Sequence, residues 1–501
     1  MVSDEDRISA LVDSVLRRLK AEASAAEPAV RDVARRTAGR DDALIKGNFR
    51  PPAAAGVRSS SDSVFRDAES AARAANRARE ALAATALETR KKMIAAMRET
   101  SARNALLLSS MAVKETGLGR VDDKVKKNLL VAEKTPGVED LVPVSWTGDR
   151  GLTLTEWAPY GVIAAITPST NPSETVINNA IGMVAAGNAV VFCPHPSAKQ
   201  TTLAAVQLLN DAIASASGIN NLLVTFEEPS IQLSQELMKH GGVDLLVVTG
   251  GPAVVRAAMD CGKKVIAGGP GNPPVVVDDT ADIDKAGRDI FGGASLDNGI
   301  VCISEKEIIV VDSVAAELKA ALVKAGGVEL DSGLASKLAG LVLAENRGPA
   351  RPSAARREFV GRDLPLILAE AGVRVSNGSR LGFIEVQWDH PFVWTEMLMP
   401  IIPLVRVKDA AEAITLAKRV ERDLGHTAVM HSKNIEHLSR MAREMDVSIF
   451  VKNGPSYAGL GLGGEGYTSF TIASPTGEGL TSARHFARMR RCVLVDYFRI
   501  V

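Results

Sequence analysis

Between Gly161 and Asp279 short apolar runs (GVIAAIT, NAVVFCP, LLVTF, DLLVVTG, KKVIAG and PPVVVDD) alternate with helical segments such as VINNAIGMVAAG and TTLAAVQLLNDAIASA. Strands of this length separated by helices predict βαβ units and a parallel, doubly wound sheet. A second alternating set over about 285–455 predicts a further α/β body. Ahead of both lies an Ala-rich helical stretch, 62–134. The run VPVSWTGDRGLTLTEWAP breaks the pattern with two extended segments around a Gly-Asp-Arg-Gly turn, hence a hairpin. The last residues, RRCVLVDYFRIV, form a β-rich tail able to pair with a hairpin elsewhere.

The amino terminus reads differently. Ile8, Leu11, Val12, Val15, Leu16 and Leu19 recur at steps of three and four, which predicts an amphipathic helix over 4–20. Ser3 and Asp6 have capping-box spacing, with acids at the start and Arg17, Arg18 and Lys20 at the end. Residues 21–60 are rich in Ala, Pro, Ser and charge and predict a flexible linker. A short helix on a tether is marginal alone in water and has to dock, on a partner or on its own domain.

Composition bounds the function classes. The chain of 501 residues carries 59 basic and 59 acidic side chains, net charge zero, which argues against nucleic acid or an anionic membrane as partner. It has no apolar run of about 18 residues and no secretory signal pattern. Four scattered cysteines, Cys193, Cys261, Cys302 and Cys492, read as thiols in a reducing, cytoplasmic setting. Seven histidines show no ligand-like pair, so no metal site is expected.

Chemistry is carried by local motifs. Cys302 sits in SLDNGIVCISEKEIIVV, where a loop runs into an apolar strand. A buried inert thiol is the alternative there. In TPSTNPSETVINNA two prolines bracket Asn171 and stiffen its loop, so its amide can be aimed at a developing oxyanion; capping the following helix is the alternative. Thr249-Gly250-Gly251 ends a strand and Pro252 opens a helix, whose N–H groups suit a phosphate. Ala267 to Asp279, AGGPGNPPVVVDD, is a rigid Gly/Pro turn before a strand, with no acid until Asp278.

In this order the segments resemble the aldehyde dehydrogenase superfamily over about 62–501, most of all its CoA-acylating branch associated with bacterial microcompartments. The resemblance implies a Rossmann-like cofactor domain (61–141 and 159–279), a catalytic α/β domain (280–487) and oligomerisation strands (142–158 and 488–501) that give a homodimer or homotetramer. It implies Cys302 as nucleophile, with Asn171 and the Cys302 N–H as oxyanion hole. NAD would lie along Thr167, Pro168, Ser169, His195, Pro196, Thr249, Gly250, Gly251, Gly268 and Glu396. The usual Phe-Gly after that glutamate is Leu398-Met399 here, and no Arg is evident near His195 to hold a 2′-phosphate. Hydrolytic relatives carry a water-activating Glu before the Gly-Gly of the 268–269 turn; here Ala267 stands in that position. The thiol of coenzyme A would then take the acyl group, with propionaldehyde as the expected substrate. Residues 4–20 resemble an encapsulation peptide that docks on shell proteins or other cargo in a microcompartment lumen. A hydrolytic enzyme and an inactive scaffold of the same fold are the alternatives.

Overall fold

The computed structural model describes residues 63–501; the helix expected over 4–20 and the linker over 21–60 lie outside the described residues. In chain order the first strands are β1 (Val64–Phe65), the hairpin β2 (Val144–Gly148) and β3 (Gly151–Pro159), then β4 (Val162–Thr167), β5 (Ala189–Pro194), β6 (Leu223–Phe226), β7 (Leu245–Thr249) and β8 (Val265–Gly268). Six of these form one parallel sheet in the order β1-β6-β5-β4-β7-β8. Every residue of β4, β5 and β6 is buried, which is why these strands read as unbroken apolar runs rather than alternating ones. Strand order reverses between β4 and β7, opening a crevice at their carboxyl ends.

Three further strands follow, β9 (Pro274–Val277), β10 (Glu307–Val311) and β11 (Val328–Leu330). With Gly382–Glu385, Ile401–Val407, Thr427–His431 and Ile449–Lys452 they make a seven-stranded parallel sheet. Its order is β11, Gly382–Glu385, Ile401–Val407, β10, β9, Thr427–His431, Ile449–Lys452.

Two boundaries of the expected domains move. The expected cofactor domain includes Val275–Val277, yet β9 pairs with β10 and with Thr427–His431 in the middle of the second sheet. An apolar β-branched run does not say which sheet it joins; the Gly/Pro segment 269–273 carries the chain across. The end of the expected catalytic domain packs on the first sheet's side instead. Asn178 Oδ1 accepts from Phe470 N at 3.0 Å, and Asn188 Nδ2 donates to Phe486 O at 2.8 Å. The Phe486 ring abuts Gly182 of helix Pro172–Ala185.

The hairpin and the tail meet. Ala487–Val495 pairs antiparallel with the whole of β3, giving a three-stranded sheet in which the tail strand lies exposed. Among the described residues no helix is long and apolar enough to cross a membrane.

Phe486 is a buried wedge between the carboxyl-terminal segment and the 172–185 helix. Phe486→Ala should destabilise the protein by about 3–5 kcal/mol, read as a lower urea midpoint.

Candidate active site

Helix Val121–Lys134 brings four polar side chains to its buried face: Asp123, Lys124, Lys127 and Asn128. They recur at steps of one, three and one, so one face of the helix carries them all. Such residues are rarely buried unless paired, and here each of the three charged ones has an opposite charge beside it. Lys124 Nζ donates to Asp297 Oδ2 at 3.0 Å and to the Thr170 carbonyl at 2.8 Å. Lys127 Nζ donates to Asp297 Oδ2 at 2.6 Å, lies 3.1 Å from Glu174 Oε1 and bonds Asn171 Oδ1. Two ammonium groups thus face two carboxylates. Burial and the neighbouring Lys127 pull Lys124 below its ordinary value, although Asp297 opposes this. Burial works the same way on Lys127, but Asp297 and Glu174 together hold it above the ordinary value. Asp297, although buried, is kept below the usual carboxylate range by the two lysines.

The same helix grips the loop ahead of Cys302. Asp123 Oδ2 accepts from Asp297 N at 3.0 Å and pairs with Arg380, while Asp297 Oδ1 accepts from Arg120 N at 2.7 Å. Asp297 and Asn298 take left-handed backbone conformations, φ 50° and 56°, which short polar side chains tolerate best. A Cβ on Gly119 (φ +75°) would strike the Asp297 carboxylate, so the approach needs glycine. Lys306 closes the loop from the other side, donating to the carbonyls of Gly299 at 2.7 Å and Val301 at 3.2 Å.

Cys302 is half-buried at the junction expected for it, in front of β10. Burial pushes its thiol up to about 12; the Glu396 carboxylate adds to this, and Lys306 and Lys127 oppose it. At neutral pH the resting group is therefore the thiol. Gly271 is the hub around it. A Cβ there would come within 2.9 Å of both the Cys302 carbonyl and the His426 ring, and the Gly271 N–H donates to Glu396 Oε1 at 3.1 Å. The His426 ring is neutral, pushed down to about 4 by burial and the charge of Lys306; Nδ1 lies 2.9 Å from Thr427 Oγ1 and Nε2 has no partner. Burial lifts the Glu396 carboxyl above its ordinary value.

Asn171 stands at the N-cap of helix Pro172–Ala185, but its side chain makes no capping bond. Its Oδ1 is taken by Lys127, and Nδ2 makes only a 3.3 Å bond to Thr170 Oγ1. One amide hydrogen is left for another acceptor. The capping alternative for this residue is set aside.

The expected cofactor residues gather at the crevice of the first sheet. Thr167 ends β4, with Pro168 and Ser169 after it; Thr249 ends β7, with Gly250 and Gly251 ahead of helix Pro252–Met259; Gly268 ends β8. The strands order these ends side by side, and His195 N donates to Thr167 O at 3.1 Å, which brings His195 and Pro196 in. The Thr167 hydroxyl is buried without a partner, and a Cβ on Gly251 would meet open space, so a phosphate-bearing cofactor fits here. Burial and the charge of Arg357 push His195 down, so an arginine does stand near it, from a segment distant in sequence. Glu396 accepts from Gly271 N, three residues past the end of β8, and stands beside Cys302. At Leu398, where the family has Phe before Gly, the backbone turns through φ +50°.

No residue of β8 is an acid; Val265, Ile266 and Ala267 are all buried apolar side chains. Among the described residues no three His, Cys, Asp or Glu side chains gather to hold a metal ion. The motifs did not single out Lys124, Lys127, Glu174, Asp297, Lys306 or His426.

The profile of the aldehyde dehydrogenase family matches residues 51–333, and the chain belongs to that family. Its homologues are CoA-acylating acetaldehyde and propanal dehydrogenases. It is 53% identical over 441 residues to the acetaldehyde dehydrogenase (acetylating) EutE of Salmonella typhimurium, covering 87% of this chain and 93% of that one. Of solved structures, the Rhodopseudomonas palustris propionaldehyde dehydrogenase with bound CoA and an acylated cysteine matches at TM-score 0.83 and 47% identity, over 87% of this chain and 99% of that one. A propionaldehyde dehydrogenase from the Clostridium phytofermentans fucose utilisation microcompartment matches at TM-score 0.85 and 44% identity, over 88% of this chain and 100% of that one.

Glu305, three residues past Cys302, is buried and accepts from Ser456 N at 2.8 Å and Oγ at 2.7 Å. Burial raises its pKa from 4.5 to about 7. The folded form holds this proton more tightly than the unfolded chain. Its contribution to stability is therefore complete below pH 4.5 and is lost as the pH rises toward 7. Glu305→Gln should flatten that fall in a series of urea midpoints measured across the window.

Proposed function

We propose that this chain oxidises a short-chain aldehyde, propionaldehyde first among them, to its CoA thioester with NAD as oxidant. The observation that carries the reading is a half-buried nucleophile with an aimed amide beside its loop and no carboxylate on β8 to activate water. The homologues' activities support the same branch.

The Cys302 thiol has to lose its proton to attack the carbonyl. We assign that proton to His426, a neutral imidazole with an unpartnered Nε2 that lies across Gly271 from the Cys302 carbonyl. The free Asn171 hydrogen and the Cys302 N–H face the oxygen that becomes negative in the thiohemiacetal. The Thr167–Ser169, Thr249–Gly251 and Gly268 ends with His195, Pro196 and Glu396 would hold NAD, which would supply the hydride acceptor. An acyl thioester on Cys302 remains. With β8 offering water no base, the CoA thiol is the nucleophile that takes the acyl group.

A dimer or tetramer built through the three-stranded sheet fits the exposed Trp146, Met489, Val493 and Val495 on its strands. Residues 4–20 acting as an address to microcompartment shell or cargo would place the enzyme in the lumen, as the Clostridium homologue's source suggests.

NADH formation from propionaldehyde should require CoA in the steady state, with propionyl-CoA as product, and Cys302→Ala should abolish it. CoA-independent turnover to free acid would point to the hydrolytic alternative, and no turnover in the parent to the scaffold. Deleting residues 1–20 should leave the specific activity in place and abolish co-sedimentation with shells; retained co-sedimentation would refute the address.

A further inference from the structure

The four buried charges do more than hold a helix. We infer that Lys127 is a positioning residue for the reaction: its ammonium, anchored on Asp297 and Glu174, fixes the Asn171 amide with Nδ2 toward the substrate oxygen. The inference rests on the reading of Asn171 as the oxyanion donor.

The amide of an asparagine can flip, exchanging donor for acceptor at the same place. Only the Nδ2-inward state stabilises an oxyanion. Lys127 decides between the two, because an ammonium has three donors and no acceptor. It bonds Asn171 Oδ1, and the flipped amide would set NH2 against NH3+. The lysine is itself immobile, 1% exposed and tied at 2.6 Å to Asp297 and at 3.1 Å to Glu174. Lys124 pins the neighbouring carbonyl, Thr170 O, at 2.8 Å, so backbone and side chain of the oxyanion loop hang from one helix face. Asp297 belongs to the loop that ends in Cys302, so the donor and the nucleophile share a single anchor. A charge-assisted bond to Oδ1 also polarises the amide and strengthens its N–H as donor.

The test is a double-mutant cycle on NADH formation. Asn171→Ala should lower kcat by about 100- to 1,000-fold. Lys127→Met should lower kcat at least tenfold with KM for aldehyde and NAD little changed. In the Asn171→Ala background the same Lys127→Met substitution should cost nothing further. Lys127→Met alone strands a negative charge, so the charge-balanced Lys127→Met/Glu174→Gln pair is measured beside it; it leaves Lys124 facing Asp297 as one ion pair. If this pair folds and turns over at the parental kcat, the inference is wrong. It is equally wrong if the Lys127 and Asn171 losses multiply. An unchanged kcat in Asn171→Ala would instead overturn the reading of Asn171 itself, which separates the two failures.

Discussion

The quartet Lys124, Lys127, Glu174 and Asp297 is the interaction on which the rest of the site depends. Each of these ions costs several kcal/mol to take out of water, and removing one partner of such a set typically costs about 3–5 kcal/mol. Because the set sums to zero charge, the cost is met only when all four are in place. Three pieces of chain distant in sequence have to converge for that: the 121–134 helix, the loop after β4 and the loop before β10. The Asn171 loop and the Cys302 loop are consequently locked to each other and not only to their own sheets.

The two sheets divide the remaining work. The first, by reversing its strand order between β4 and β7, makes a crevice lined by Thr167 and Thr249. The second supplies the strand that Cys302 precedes. Between them runs the 269–273 segment, where Gly271 lets Glu396, the Cys302 carbonyl and His426 come together. The burial that raises the Cys302 thiol also keeps His426 neutral, so both groups rest uncharged in the same dry surroundings.

Much of this was legible in the amino-acid sequence. Fully buried strands such as VIAAIT and AVVFCP announce themselves, and the β2–β3 hairpin was marked by its Gly-Asp-Arg-Gly turn. The placement of Cys302 and Asn171 followed from local patterns read with the family resemblance. Strand β9 went to the wrong sheet because Val275–Val277 would suit either, and the choice is made by the neighbours it meets. Lys124 and Lys127 escaped notice since VDDKVKKNLL looks like any solvated helix face; only tertiary contact shows that two of its lysines point inward. Arg357 could not be seen near His195 because more than 150 residues of chain separate them.

The carboxyl-terminal strand bears on how the chain comes into being. Arg488 bonds the Pro159 carbonyl across 329 residues, and Phe486 seals the 172–185 helix that the first sheet rests on. A nascent polypeptide leaving the ribosome carries its crevice strands early and their cover last. Until residues 486–495 emerge, β3 has an unpaired edge and the helix an open flank. Contacts of such long range also make folding slow. Closure of that edge and flank thus waits for residues 486–495, and the interval before it is when a holding chaperone has something to protect.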